Sequence, residues 1–346
     1  MTLTSRELFL KACQRKKTPR PPLWFMRQAG RYLPEYQELR KNRSFEDLLT
    51  TPELAAEITL QPLKRFDLDA AIIFADILTP VYAMRRGLVI IPEKGPVLKY
   101  PINDPSAVGE LESPNPDTDY PQLGDALDIV RERVRDKALI GFAGAPFTIA
   151  SYLIEGESTR NALKTKAFAL KYPDAYHELL EMITTIVTEQ LESEIKHGVD
   201  AIQLFDSWAG YLSPNQYEIL ARPFAEKVLS SKKVRRVPRI YYARGTGHLI
   251  KSMGSMSFTH LSIDHTITLE EAHKHLGKEK GLQGNLDPSI LLSNQDTVKR
   301  ETRNVLRQGL QIPGYIFNLS QGIDKTTPIA NVLTMVEEVK SAGEQS

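Results

Sequence analysis

The sequence predicts an α/β fold, a (β/α)8 barrel that forms a single domain over residues 1–346 with an insertion after the second strand. Short apolar runs alternate with longer segments of helical periodicity, which is typical of βα units and a parallel sheet. Eight such runs are present, the number that closes this barrel. A doubly wound sheet is the alternative. The position of the polar residues, which follow nearly every run at the same end, favours the barrel.

The predicted strands are short and rich in β-branched or aromatic residues. They are Leu23–Phe25, Ala70–Phe74, Ala138–Phe142, Ala201–Phe205, Arg239–Ala243, His260–Asp264, Gly281–Asn285 and Tyr315–Leu319.

The helices between these strands carry start and stop signals. Thr51 and Ser213 each precede a proline, as an N-cap residue does when proline occupies the first helical position. The run from Asp174 to His197 repeats apolar residues at helical spacing and stops at Gly198, which predicts a C-terminal glycine cap. The segment Val81–Pro121 fits no single helix, and its proline and glycine content suggests an insertion that includes a hairpin.

Composition and charge exclude several classes of protein. The chain has 346 residues, of which 41% are hydrophobic and 25% charged, and its 44 basic and 43 acidic residues leave a formal net charge of +1. A general nucleic-acid or membrane-surface binder needs a large field of one sign, so neither partner is expected. The first residues lack the apolar core of a signal peptide, which predicts a cytoplasmic protein.

The polar residues at the strand ends predict a site. In barrels of this kind the reactive groups lie where strands end and βα loops begin. The residues in question are Arg27, Arg31, Asp76, Tyr152, Asp206, Ser207, Asp264, Asn285, Asp287, Asn318 and Gln321.

Arginines and one carboxylate stand out among them. Arg27 and Arg31 flank Gln28-Ala29-Gly30, and Arg40 follows a short helix later. Guanidinium groups offer charged, planar donors for carboxylates, although two arginines in a loop are more often plain surface residues. Asp76 closes an apolar run, either as a helix N-cap or as an acceptor for several N–H groups or a developing cation.

Other candidates are less specific. Tyr152 and Ser207 are equally consistent with substrate hydrogen bonds and with satisfied core hydroxyls. His273 and His275 are two residues apart on a helix and therefore face different ways. No nucleotide-binding or metal-binding motif is present, so no metal and no cofactor is predicted. Cys13 is the only cysteine, which excludes an intrachain disulfide.

Five stretches make the chain resemble the uroporphyrinogen decarboxylase family. They are WFMRQAGRYLPEY from Trp24, FADIL from Phe74, GFAGAPFTIASYLIEG from Gly141, QLFDSWAG from Gln203 and LQGNLDP from Leu282. The resemblance implies a cofactor-free (β/α)8 barrel, usually a homodimer, that removes carbon dioxide from the four acetate arms of uroporphyrinogen to give coproporphyrinogen.

The resemblance also implies roles for individual residues. It assigns substrate binding to Arg27, Gln28, Ala29, Gly30, Arg31, Arg40, Asp76, Tyr152, Ser207 and Gln321. Asp76 is implied to stabilise the cation formed when a pyrrole ring is protonated, and Arg27 or Arg31 to help deliver that proton.

One corner departs from the family pattern. The family commonly reads NLGHGI near the last strand, whereas this chain reads NLSQGI from Asn318 to Ile323. Gln321 can donate and accept hydrogen bonds but cannot titrate. We expect that it only holds a substrate side chain; the alternative is that another residue donates the proton.

Two other functions are consistent with parts of the sequence. Related barrels transfer methyl groups with a zinc site built from histidine and cysteine, but the single Cys13 on the predicted N-terminal helix disfavours such a site. A tetrapyrrole carrier without activity is suggested only by the altered Gln321 corner.

Overall fold

The computed structural model describes residues 3–91 and 94–342. Within these ranges it has nine strands: β1 (Ala70–Ile72), β2 (Leu88–Ile91), β3 (Gly95–Leu98), β4 (Ala138–Gly144), β5 (Ala201–Asp206), β6 (Arg239–Ala243), β7 (His260–Ser262), β8 (Gly281–Leu286) and β9 (Ile316–Leu319).

Helices fill most of the chain between the strands. They are α1 (Ser5–Cys13), α2 (Pro34–Arg40), α3 (Phe45–Thr50), α4 (Pro52–Arg65), α5 (Thr79–Ala83), α6 (Ser106–Gly109), α7 (Pro116–Asp119), α8 (Gln122–Arg133), α9 (Pro146–Glu155), α10 (Leu163–Lys171), α11 (Pro173–Lys196), α12 (Pro214–Leu220), α13 (Arg222–Ser230), α14 (Ile250–Met253), α15 (Leu269–Leu276), α16 (Gln295–Gly309) and α17 (Ile329–Ser341).

Seven strands form one parallel sheet in the order β1-β4-β5-β6-β7-β8-β9. Each strand pairs in parallel with the strand that follows it around the sheet, as Ile72 does with Ile140 and Phe205 with Tyr242. All carboxyl ends therefore lie at one rim, the arrangement of a (β/α)8 barrel. Seven of the eight predicted strands are confirmed, several of them shorter than expected.

The remaining predicted strand, Leu23–Phe25, comes first in the chain. It is wrong in extent, because only Leu23 forms a bridge, to Phe317. The N–H of Phe317 donates to the carbonyl of Pro22 at 2.9 Å, and that of Asp69 donates to Leu23 at 2.8 Å. Proline has no N–H for the ladder. The N–H of Phe25 is taken by the Gln28 side chain at 3.2 Å. One residue between β9 and β1 thus closes the barrel.

The interior of the barrel contains a buried polar belt. The amide of Gln283 donates to Gln203 Oε1 and Ser262 Oγ, both at 2.9 Å. The indole of Trp24 donates to Gln283 Oε1 at 3.0 Å. These bonds satisfy polar groups that would be costly to bury alone. The bond to Trp24 also fixes the start of the loop that follows this residue.

The helix signals in the sequence are confirmed except for one cap: Thr51 precedes α4, but its side chain makes no cap hydrogen bond. Pro52 and Pro214 each occupy the first helical position of α4 and α12, and Ser213 caps α12 by accepting from Gln216 N. The long helix α11 is followed by Gly198 at φ 84°. Strands β2 and β3 pair antiparallel, so a hairpin lies in the segment where one was expected.

Candidate active site

The strand ends form a mouth at one rim of the barrel, and most of the predicted site residues lie there. Asp76 follows β1, Ser207 directly follows β5, and Gln321 follows β9 by two residues. All three side chains are half-buried. Groups that are neither enclosed nor fully exposed are available to a ligand that enters the mouth.

The loop from Arg27 to Arg31 covers one side of this mouth. Arg27 is exposed, and its φ of 62° lies in the left-handed region that side chains other than glycine rarely adopt. Ile323 N donates to the carbonyl of Met26 at 3.1 Å, which ties the loop to the segment after β9. Gly322 accommodates the Arg27 side chain, because a Cβ atom there would lie 2.5 Å from Arg27 Cδ.

Asp76 carries the central carboxylate of the mouth. Its Oδ1 accepts the N–H of Leu78 at 2.8 Å. The side chain keeps some contact with solvent, but protein surrounds it on most sides, and this burial raises the pKa of Asp76. The N–H of Leu78 and the charge of Arg27 lower the pKa only in part. Asp76 and Arg27 therefore lie close enough for their charges to interact.

Tyr152 lies near the same pair of charges. Burial raises the pKa of Tyr152, the carboxylate of Asp76 raises it further, and Arg27 lowers it. The ring stacks on Trp208, with centroids 4.0 Å apart and planes 32° apart. Trp208 is the neighbour of Ser207, so the loop after β5 places the hydroxyl and the phenol on one side of the mouth.

Aromatic rings form the floor beneath these polar groups. Phe205 packs edge-on against Phe142 and against Tyr242, each at 5.5 Å between centroids. Burial raises the pKa of Tyr242, the Asp264 charge raises it further, and Arg244 and Arg27 lower it. The floor thus offers an apolar surface directly below a charged rim.

The structure places the remaining loop residues unequally. Gln28 is fully buried; its amide donates to the Ala70 carbonyl at 3.0 Å and its Oε1 accepts from Phe25. Its backbone is engaged as well, because its N–H donates to the Phe25 carbonyl at 3.1 Å and its carbonyl accepts from the Tyr32 hydroxyl at 2.8 Å, so Gln28 supports the loop. Ala29 and Gly30 are half-buried, and among the described residues neither backbone N–H donates to a protein acceptor.

Arg31 and Arg40 lie around Tyr36 rather than beside Asp76. Burial raises the pKa of Tyr36, and the charges of Arg40 and Arg31 lower it. The Tyr36 ring packs 5.9 Å from Phe74, two residues before Asp76. The two guanidinium groups consequently border the mouth at greater distance from its centre than Arg27 does.

Three residues at the mouth were not predicted from the sequence: Arg244, His265 and Ser320. Arg244 and His265 each follow a strand-end residue, which is a signal the strand pattern already contained. His265 Nδ1 lies 3.0 Å from Ser320 Oγ. That contact joins loops 55 residues apart in sequence, so no local pattern predicts it.

The zinc-site alternative finds no support at this rim. Cys13 is buried on α1, and Asp200, which precedes β5 at the opposite rim, raises its pKa further after burial. In residues 3–91 and 94–342 no group of three or more histidine, cysteine, aspartate or glutamate side chains is arranged to hold a metal ion. In the same ranges no helix is long and apolar enough to cross a membrane.

The fold and the mouth define a parallel β/α-barrel protein with a mixed-charge site at the carboxyl ends of its strands, where barrel enzymes bind their substrates. The family model described as uroporphyrinogen decarboxylase (URO-D) matches residues 4–342. The chain belongs to the uroporphyrinogen decarboxylase family.

Curated relatives match along nearly their whole length. The uroporphyrinogen decarboxylase of Carboxydothermus hydrogenoformans is 40% identical over 96% of this chain and 95% of its own. Those of Geobacter sulfurreducens and Coxiella burnetii are also 40% identical, over 95% and 99% of this chain and 96% of their own.

Solved structures share the fold at lower identity. A methyltransferase from Methanosarcina mazei superposes with a TM-score of 0.84 at 20% identity, over 98% of this chain and 99% of its own. A B12-independent methionine synthase from Shewanella has a TM-score of 0.58 at 10% identity, over 94% of both chains. At such identities the likeness concerns the fold alone.

Proposed function

We propose that the protein is a cofactor-independent carboxy-lyase that removes carbon dioxide from the four acetate arms of uroporphyrinogen III. The product is coproporphyrinogen III, an intermediate of porphyrin and haem biosynthesis. The observation that carries the proposal is the proximity of the Asp76 carboxylate to the Arg27 charge at the mouth of a barrel whose sequence matches this family from residue 4 to residue 342.

Asp76 has two tasks in the proposed reaction. It accepts the central pyrrole N–H groups of the substrate, and it stabilises the cation that forms when a pyrrole ring is protonated. A carboxylate about 4 Å from that charge contributes about 4 kcal/mol at an effective dielectric constant near 20, roughly a thousandfold in rate. Because enzymes accelerate reactions by about 10⁶-fold or more, other groups must contribute.

The arginines bind the carboxylate arms. Arg27 is the guanidinium nearest Asp76, while Arg31 and Arg40 extend the positive charge towards Tyr36. Arg27 and Arg31 are catalytic in this proposal, because they orient the arms around the reacting ring. The N–H groups of Ala29 and Gly30, which donate to no protein acceptor among the described residues, add donors on the same loop, and Gln28 supports that loop.

The remaining contacts position the ring. Tyr152, Ser207 and Gln321 are half-buried residues that follow strands at the mouth, and in this proposal their polar groups hydrogen-bond the substrate. The reacting acetate requires a drier place, because a tight salt bridge would stabilise the ground-state carboxylate. Phe205, a half-buried ring of the aromatic floor, provides that surface.

The decarboxylation needs no external electron sink. Protonation of the ring carbon beside the arm makes the pyrrole cationic, and the electron pair of the breaking C–C bond then neutralises the ring as carbon dioxide leaves. Protonation of the resulting methylene and loss of the added ring proton complete one cycle, so each arm consumes one proton. No cofactor and no metal takes part.

A homodimeric, single-domain, cytoplasmic protein is part of the proposal. Leu163 and Leu170 lie seven residues apart on α10 and are 65% and 81% exposed. Lys166 on the same helix donates to the Tyr211 carbonyl at 3.3 Å. This contact extends the surface to the exposed ring of Tyr211. A surface of this kind is typical of an interface. Sedimentation of the purified protein tests the dimer, and Leu170→Glu should yield monomers.

Turnover is the direct test of the activity. Purified protein is incubated with uroporphyrinogen III under reducing conditions, and the number of carboxylates on the products is followed by chromatography. We expect stepwise loss of four carboxylates without added metal or cofactor. Tight binding of an unchanged substrate would instead identify a carrier, and the proposed activity would be rejected.

A further inference from the structure

The ends of three neighbouring strands hold a polar cluster on the far side of the mouth. His265 follows β7, Asp287 follows β8 and Ser320 follows β9. The imidazole Nδ1 lies 3.0 Å from Ser320 Oγ, and Nε2 lies 3.8 Å from Asp287 Oδ2. The His265 side chain is 45% exposed and that of Asp287 33%, so the cluster is fixed by contacts yet open to a ligand.

The cluster is joined to the site already described. The phenol of Tyr242, on the floor, donates to the Ser320 carbonyl at 3.2 Å. Gln321 and Gly322 come next in sequence, and Gly322 supports Arg27. Counting the Leu23 bridge as one position of the barrel, β1 and β7 are four positions apart in the eight-position ring. His265 and Asp76 therefore lie on opposite sides of the same mouth.

Decarboxylation of a pyrrole acetate requires an acid that gives up its proton near neutral pH. Guanidinium groups such as Arg27 hold their protons too tightly, and Gln321 does not titrate. Burial raises the pKa of Tyr152 and Tyr242 away from neutrality. Histidine is the side chain that ordinarily changes charge in this range, and His265 is the one held at the mouth by a serine and a carboxylate.

We propose that His265 is the general acid and base of the decarboxylation, with Ser320 and Asp287 as positioning residues. The inference rests on the proposed function. The imidazolium transfers a proton to the ring carbon beside the acetate arm and becomes neutral imidazole. The C–C bond then breaks, carbon dioxide leaves, the methylene takes a proton from solvent, and the imidazole removes the added ring proton.

Charged and titratable groups of the neighbouring loops surround the imidazole. The carboxylate of Asp287, from the loop after β8, lies 3.8 Å from Nε2. Asp264 precedes His265, and its oxygens are engaged by Gly245 N and Thr266. From the β6 side, the phenol of Tyr242 donates to the Ser320 carbonyl, and the charge of Arg244 acts on that phenol. Because the acid must start protonated, kcat should fall at alkaline pH.

The variant His265→Gln tests the assignment. We expect kcat to fall about 100-fold or more, the typical contribution of a general acid, with little change in KM. The alkaline limb of the kcat profile should disappear. His275→Gln, an exposed histidine on α15, is the matched control and should leave kcat and the profile unchanged. Thermal unfolding of each variant checks the fold.

A second variant separates chemistry from structure. Asp287→Asn removes the carboxylate that positions the ring beside Nε2, so kcat should fall by less than in His265→Gln, with KM unchanged and the alkaline limb retained. If His265→Gln keeps the kcat and the pH profile of the unmodified protein, the inference is wrong and the decarboxylase activity stands. If the unmodified protein releases no carbon dioxide from uroporphyrinogen, the proposed function itself fails.

Discussion

The Arg27 side chain lies directly over Gly322. A Cβ atom at position 322 would come within 2.5 Å of Arg27 Cδ and 2.9 Å of Arg27 Cγ and Nε. Such contacts are not tolerated without movement of the guanidinium stem. The absence of a side chain at Gly322 thus leaves room for Arg27 at the closure of the barrel, where its charge acts on Asp76.

Gly322→Ala should displace Arg27 and weaken substrate binding. Loss of one well-placed guanidinium–carboxylate contact corresponds to roughly 1–3 kcal/mol, which predicts an increase in KM of about tenfold or more. Steady-state kinetics with uroporphyrinogen measures it. Gly109→Ala is the matched control, because a Cβ there meets no atom within 4 Å. An unchanged KM in Gly322→Ala would show that Arg27 does not hold a substrate arm.

Asp76→Asn should abolish most turnover without unfolding the protein. The amide can still accept from Leu78 N, but it cannot neutralise a cation, so kcat should fall roughly a thousandfold. Burial raises the pKa of Asp76, and the carboxylate therefore destabilises the fold at neutral pH. Thermal unfolding should show equal or greater stability of the variant. Near-normal kcat would rule out the electrostatic role.

Much of the fold follows from local sequence signals. The runs Ala138–Phe142 and Ala201–Phe205 are bounded by polar or turn residues, and the helices between strands carry caps, so spacing alone predicts parallel units. The extent of the first predicted strand, Leu23–Phe25, could not be predicted in this way. Whether Leu23 pairs with Phe317 depends on donors nearly 300 residues apart in sequence.

The site was predictable to the degree that it depends on strand ends. Asp76 and Ser207 follow strands, and the structure places both at the mouth. Gln28 shows the limit of this reasoning. The position of its loop predicts contact with a ligand, but its side chain is buried and donates a hydrogen bond to the Ala70 carbonyl. His265 shows the opposite failure, since its contacts come from other strands and are visible only in three dimensions.

A buried carboxylate, Asp69, stabilises the closure of the barrel. Arg20 donates to both of its oxygens, at 2.7 and 2.8 Å, and Leu23 N donates at 2.8 Å. Ser5 and Lys340 complete the group at 2.9 and 3.1 Å. The segment that provides only one bridge to the sheet is thus fixed by side-chain hydrogen bonds.

Asp69→Asn should lower the free energy of unfolding by about 3 kcal/mol, because it leaves Arg20 half-buried without its counter-charge. Burial alone would raise the pKa of Asp69, but Arg20, Lys340 and Leu23 N hold it below the ordinary value. The stabilisation is therefore complete above the unfolded-state pKa and is lost as the pH falls through the lower folded-state pKa. Urea unfolding at several pH values measures this.

The exposed Asp67 provides the comparison for Asp69. Asp67→Asn removes surface contacts to Lys137 and Lys340 and should change stability by less than about 1 kcal/mol. Equal effects of the two substitutions would mean that the buried network does not stabilise the closure.

The carboxylate of Glu194 on α11, unlike that of Asp69, should destabilise the folded protein. It is buried against β4; Gln190 donates to its Oε1 at 2.9 Å, and its Oε2 has no hydrogen-bond partner among the described residues. Burial raises the pKa of Glu194 to about 8, against the lowering effect of Gln190 and the Phe142 backbone. Folding therefore takes up a proton at neutral pH, and stability should fall as the pH rises from about 4.5 to about 8.

Glu194→Gln should remove this dependence. The amide is neutral at every pH, so the variant should exceed the unmodified protein in free energy of unfolding by the order of a few kcal/mol at pH 8 and by little near pH 4.5. Glu189→Gln, exposed on the same helix, controls for the loss of one surface charge. Denaturant titrations at both pH values decide the matter: a stability difference that stays constant between them would show that Glu194 is ionised in the folded state throughout.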